Sequence, residues 1–209
     1  MVMRVLCGLL LAACCAAQQW EAGPLAGGGF YNNVSISNAF GRGTTGLASG
    51  PAFGAYLVQN LYKNLSGEIR YTFQRGDLKV SSGNVTAGFR GVTHAIHYDW
   101  LLHTRKKGSS LRPFLAAGAG FKGFRGTGTE APYQPLGKLA LLTLTSEWKP
   151  LVSLGGGVAV RLAGWAVLRA EFRDYLTPFP QKVIAPVGQA NLKRWLHDFL
   201  PSLGVGFTF

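Results

Sequence analysis

The stretch PSLGVGFTF, residues 201–209, alternates strictly. Leu203, Val205, Phe207 and Phe209 share one side of an extended strand, and Gly204, Gly206 and Thr208 share the other, because side chains on a strand alternate with period two. Residues near the end of a soluble domain are usually loose and polar. Here an apolar face runs all the way to residue 209, so something other than water must cover it.

Composition points the same way. The 209-residue chain is 47% hydrophobic but only 14% charged, and it contains 29 glycines. An average domain carries about 25% charged residues, and glycine costs roughly 1 kcal/mol inside a helix. The balance favours strands in which small residues alternate with large ones. A formal charge of +12 raises the question of nucleic acid. The basic residues are scattered, however, with Arg105, Lys106 and Lys107 the only triple run, and no zinc-finger spacing or RNA-binding motif accompanies them. No nucleic-acid partner is expected.

The opening stretch MVMRVLCGLLLAACCAAQQWE has the layout of an export signal. Arg4 supplies the positive region, residues 5–13 an apolar stretch too short to span a bilayer, and Ala17 a small residue for cleavage. The expected organisation is a cleaved leader over residues 1–17 and one domain over 18–209. Cys7, Cys14 and Cys15 all lie in the leader, so disulfides and cysteine-ligated metals are not expected in the mature chain. Leu11, Ala12, Ala13 and Cys14 also have the form of a bacterial lipobox, which leaves lipidation of Cys14 open beside simple cleavage.

Beyond the leader there is no apolar run long enough for a membrane helix. Stretches with period-two character recur instead, separated by turn-rich segments. Eight candidates cover residues 23–37, 52–62, 65–75, 85–103, 112–125, 148–162, 165–176 and 197–209. In the first, Phe30, Val34 and Ile36 share a parity. The third is the most legible, with Leu65, Gly67, Ile69, Tyr71 and Phe73 against Ser66, Glu68, Arg70, Thr72 and Gln74. The fourth switches parity near Gly91, which predicts a bulge.

Connections run long, short, long in alternation, the pattern of a transmembrane barrel with brief turns on one side and long loops on the other. The expected fold is therefore all-β: an eight-stranded antiparallel up-and-down transmembrane β-barrel. Opposite the apolar faces lie glycine and charge, namely Glu68, Arg70, Asp99, Arg161, Arg169, Glu171 and Arg173. Lipid outside and a polar interior account for both faces. A soluble lipocalin-like barrel would need the reverse.

The closing alternation of Leu203, Val205, Phe207 and Phe209 resembles the C-terminal signal that the barrel-assembly machinery reads in bacterial outer-membrane proteins. RPFLAAGAGF (residues 112–121) and FRDYLTPFP (172–180) are similar to strands of the small eight-stranded outer-membrane protein A-type barrels. This resemblance implies a Gram-negative outer-membrane protein in contact with membrane lipid and lipopolysaccharide. It also places Tyr175 and Phe179 in an upper aromatic belt. It leaves activity open, because one fold hosts many roles.

An eight-stranded barrel is just wide enough for its side chains to fill it, so the seven inward charges are expected to form an ion-paired plug. The alternatives are a narrow channel, anion-preferring because arginines outnumber carboxylates in that set, and, third, a lipid-modifying enzyme. His94 and His97 should point to opposite faces, which disfavours a metal site. The chain has no His-x-Ser pair, and His97 with Asp99 is the nearest analogue, so no catalytic residue is expected. The glycine runs at 27–29 and 155–157 lack the Lys-Ser/Thr of a phosphate loop, and no cofactor is implied. Arg42, Arg75, Lys79, Arg125 and Lys182, with Lys138, Lys149, Lys193 and Arg194, fall in or beside the long loops. There they either contact lipopolysaccharide phosphates or remain solvated rim charges. A monomer with a structural or surface-interaction role is the expected whole.

Overall fold

The computed structural model describes residues 20–130, 133–188, 192 and 195–209; the leader with Cys14, and also Lys193 and Arg194, lie outside the described residues. Eight strands form a closed antiparallel barrel: β1 (Trp20–Tyr31), β2 (Gly50–Asn60), β3 (Leu65–Arg75), β4 (Gly91–His103), β5 (Leu111–Gly126), β6 (Ser146–Arg161), β7 (Ala166–Pro178) and β8 (Trp195–Thr208). Each pairs with its sequence neighbours, and β8 returns to β1 with Ala26 opposite Leu203 and Phe30 opposite Phe199.

Closure explains the behaviour of the final residues. Phe209 donates its N–H to the carbonyl of Trp20 at 3.0 Å and accepts from the Trp20 N–H at 3.2 Å, so the last residue is held to β1 by two backbone bonds. A sheet closed in this way has no free edge, which is what a strand needs where water cannot satisfy it. Leu203, Val205, Phe207 and Phe209 all point outward and stay exposed. They continue a belt that includes Ile69, Trp100, Leu115, Phe121, Leu154 and Phe172. Water-soluble monomers rarely expose an apolar surface of that extent.

Inward glycines make room for the large side chains of facing strands. A Cβ at Gly155 would lie 2.7 Å from Cδ of Arg173, and one at Gly157 would lie 2.9 Å from Cγ of Glu171. These two glycines are thus the counterpart of a crowded, charged interior.

The long connections are folded. Val34–Asn38, Gly41–Leu47, Leu78–Ser82 and Val85–Phe89 form a four-stranded sheet in that order, and Ala140–Leu142 pairs with Ile184–Pro186. Val34, Ile36, Leu78, Val80, Ile184 and Leu192 pack there with Phe124 and Leu196 from the upper ends of β5 and β8. The result is an apolar dome over one mouth of the barrel.

The dome corrects three expectations. Residues 23–37 are two strands in two sheets, because β1 stops at Tyr31; Phe30 is exposed whereas Val34 and Ile36 are buried. Residues 85–103 likewise divide at Arg90, and β4 pairs with β3 and β5 in unbroken register. The parity switch near Gly91 is therefore a change of sheet, not a bulge. Tyr175 and Phe179 do not join an outer aromatic belt: Tyr175 is 1% exposed inside the barrel, and Phe179 is 2% exposed in the dome core.

Candidate functional site

Six of the seven charges expected in the interior meet there. Glu68 and Arg70 project from β3, Asp99 from β4, and Arg169, Glu171 and Arg173 from β7, all on the inward parity and all buried. Arg173 touches three carboxylates: Asp99 at 2.6 Å, Glu171 at 3.0 Å and Glu68 at 3.2 Å. Arg70 reaches Glu171 at 2.6 Å and Glu68 at 2.8 Å. Arg169 lies 2.8 Å from Glu68 and 3.1 Å from Glu171. Spacing of two along β7 puts Arg169, Glu171 and Arg173 on one face, so two cations flank one carboxylate.

Arg161 is not part of this cluster. It ends β6 at the mouth that carries the short turns, where it lines a small cavity of about 30 Å³ with Lys107, Arg112 and Glu21. Between that mouth and the charges lies an apolar layer of Leu25, Val58, Leu101 and Phe114. The Arg169 guanidinium stacks over Phe114 at 5.0 Å and over Tyr56 at 4.3 Å.

Other polar residues complete the packing. The Tyr56 hydroxyl donates to Glu21 at 3.1 Å. Lys122 pairs with Asp198, and Gln74 donates to the same carboxylate at 3.3 Å. The Tyr31 hydroxyl caps this upper layer by donating to Gln74 at 3.0 Å. Buried carboxylates of the barrel are Glu21, Glu68, Asp99, Glu171 and Asp198, against the cations Arg70, Lys122, Arg169 and Arg173. The expectation that cations dominate the interior is therefore not met, and the argument for anion preference falls with it.

His97 lies 2.9 Å from Asp99 through Nδ1 and 2.9 Å from the Tyr175 hydroxyl through Nε2. Ser153 donates to Asp99 at 3.2 Å. The serine thus engages the carboxylate and not the imidazole, whose Nε2 faces the Tyr175 hydroxyl. The whole relay is also shielded from solvent. His94 points outward to the Tyr71 hydroxyl at 2.7 Å, His103 contacts Ser66 at 3.1 Å, and His197 pairs with Asp174 at 2.8 Å. Among the described residues no three His, Cys, Asp or Glu side chains gather as a metal site.

No protein-family model and no curated protein matches the sequence. Solved structures do match in fold. Neisserial surface protein A aligns with 91% of this chain and 96% of its own, at 12% identity and a TM-score of 0.56. Outer membrane protein OprG of Pseudomonas aeruginosa covers 92% and 96% at 12% identity and a TM-score of 0.54. Outer membrane protein AlkL, solved in lipid bilayers, covers 92% and 90% at 13% identity and a TM-score of 0.50. The chain has the fold of the small outer-membrane barrels.

On this outer-membrane-type barrel the basic residues of the domed side do not converge on one point. Arg42 is exposed on a loop strand opposite Ser37, Arg75 and Arg125 are exposed near the domed ends of β3 and β5, and Lys182 is exposed beside the Ile184 strand. Lys79 is half-buried in the loop sheet. Lys149 pairs with Glu147 at 2.6 Å, and Lys138 sits 5.9 Å from the Phe40 ring. Arg75 and Arg90 line a hollow of about 330 Å³ where barrel and loop sheet meet.

Proposed function

We propose that the chain is a non-enzymatic outer-membrane barrel with a plugged interior, exported through the leader at residues 1–17 and acting as a structural or surface-interaction protein. The observation that carries this reading is the buried cluster in which Arg173 contacts Glu68, Asp99 and Glu171 at once. Separating these cations and carboxylates to open a path would strand charges in a low-dielectric interior. The apolar dome closes the same axis on its outer side. Assembly as a monomer through the barrel-assembly machinery, which would read Leu203, Val205, Phe207 and Phe209, belongs to the same proposal.

The exterior supports the surface role. Five of the nine acidic residues of the chain, Glu21, Glu68, Asp99, Glu171 and Asp198, are buried in the barrel. The basic residues of the loops therefore face outward largely without carboxylates. Arg42, Arg75, Lys79, Arg125 and Lys182 are assigned to contacts with lipopolysaccharide phosphates, for which charge-assisted hydrogen bonds are the natural chemistry.

Single-channel recording tests the plug. Refolded protein, verified by heat-modifiable gel migration, should insert into a planar bilayer without discrete conductance steps. Sustained openings from correctly folded protein would overturn the plugged reading.

A further inference from the structure

On the outside of the barrel, β4, β5 and β6 meet at Gly123, which pairs with His94 on one side and with Trp148 on the other. Gly123 has no side chain, and it forms the floor of a groove of about 730 Å³. A Cβ there would approach the Trp148 indole to 2.9 Å. His94, hydrogen-bonded to the Tyr71 hydroxyl at 2.7 Å, makes one wall, and the exposed Trp148 makes the other.

The groove has a fixed roof. The Leu144 N–H donates to Glu130 at 2.9 Å, the Thr145 hydroxyl donates to the Lys182 carbonyl at 2.8 Å, and the Thr145 carbonyl accepts from the Gly126 N–H at 3.2 Å. These bonds hold exposed Leu144 above Trp148. Arg125 enters from the domed end, without a carboxylate partner among the described residues. Along β5 the outward residues Leu115, Ala117, Ala119 and Phe121 are apolar up to Gly123, and Arg125 is the first charge beyond them.

We propose that this groove binds one phosphorylated acyl glycolipid of the outer leaflet, a deepening of the lipopolysaccharide contact and resting on that reading. An acyl chain lies along Tyr71 and Trp148. A phosphate sits at the height where the apolar belt ends and takes hydrogen bonds from Arg125 and the Ser146 hydroxyl. The volume falls in the range of small-molecule sites, and the order of apolar then cationic walls matches the order of chain then headgroup across a leaflet.

Native mass spectrometry of the refolded protein with bisphosphorylated lipid A tests the assignment, with folding of each variant checked by heat-modifiable migration. Wild type should retain one lipid A. Gly123→Leu, which fills the floor, and Arg125→Glu should each weaken retention by at least about tenfold, while Arg105→Glu, on the short turn between β4 and β5, keeps it. Trp148→Ala removes a wall without altering the floor, and should lose the lipid as well if Gly123→Leu does not fold. Equal retention by Gly123→Leu, Trp148→Ala and wild type, with loss in Arg42→Glu, would overturn the groove and leave the loop contacts standing. Equal retention of phosphatidylglycerol would overturn the glycolipid assignment. Absence of any bound lipid A on folded wild type would overturn the groove and the lipopolysaccharide reading together.

Discussion

The barrel and the dome bury opposite things. Inside the wall of β1 to β8 the buried side chains include Glu68, Arg70, Asp99, Arg169, Glu171 and Arg173, while Ile69, Trp100, Leu115 and Phe172 face out. A few residues further along the same strands, Phe124 and Leu196 turn inward to join Val34, Ile36, Leu78 and Val80 in an apolar core. One chain thus follows two rules. Burial is always relative to the surrounding medium: apolar groups leave water for the dome interior, whereas in lipid the polar groups gain by turning away from the acyl chains. On β5 the step from barrel interior to dome falls between the inward neighbours Lys122 and Phe124.

The largest expected effect breaks the barrel side of this contrast. Arg173→Met leaves Glu68, Asp99 and Glu171 with one cation fewer in a buried space, and removing one partner of such a cluster costs about 3–5 kcal/mol. Urea unfolding in lipid vesicles should show the loss as a lowered midpoint. A midpoint within error of wild type would mean that water already reaches the cluster, and the contrast with the dome would lose its basis.

The dome should respond to a different change. Leu78→Ala opens a cavity in a core that meets water, at a cost of about 2–4 kcal/mol. The damage should stay local, because the loop sheet has its own backbone pairing and its core meets the barrel at the upper ends of β5 and β8. Limited proteolysis should cleave the loops near residues 76–90 while heat-modifiable migration of the barrel is retained. Loss of barrel migration in step with loop cleavage would show that the two regions fold as one unit.

How much of this was legible follows from the same contrast. Glu68, Arg70, Arg169, Glu171 and Arg173 declare themselves because two-residue spacing within one long strand is local information. Lys122 also falls on an inward parity, yet its partner Asp198 sits on β8, with β6 and β7 between them in the wall. Contact across the interior depends on barrel diameter and register, which spacing does not encode. Glu21 lies two residues before the first expected strand, on the parity of Gly23, and extending the strand back to Trp20 would have enrolled it. Arg161 has the right parity but the wrong height. The dome was hidden for another reason. Leu78 and Val80 alternate over a strand of only five residues inside a stretch rich in glycine and serine, which reads as loop, and Val34 with Ile36 reads as a continuation of the first strand. Their apolar face also follows the water rule, so a parity carried over from β1 or β4 points the wrong way.

The smallest expected effect concerns the residue at which the alternation of 201–209 ends. Phe209 is 56% exposed, and its side chain faces outward, so Phe209→Ala removes little packing within the protein. Its backbone, by contrast, exchanges two hydrogen bonds with Trp20. Deleting the residue removes both, at roughly 0.5–1.5 kcal/mol each, whereas the alanine variant keeps them. Closure itself survives either change, since Ala22 remains paired with Phe207 and Leu25 with Gly204. Equilibrium unfolding should therefore rank the deletion about 1–3 kcal/mol below wild type and place Phe209→Ala close to it. A penalty for the alanine variant as large as that for the deletion would mean that the ring, through contacts in the surrounding lipid, and not the strand ladder, secures this end of the barrel.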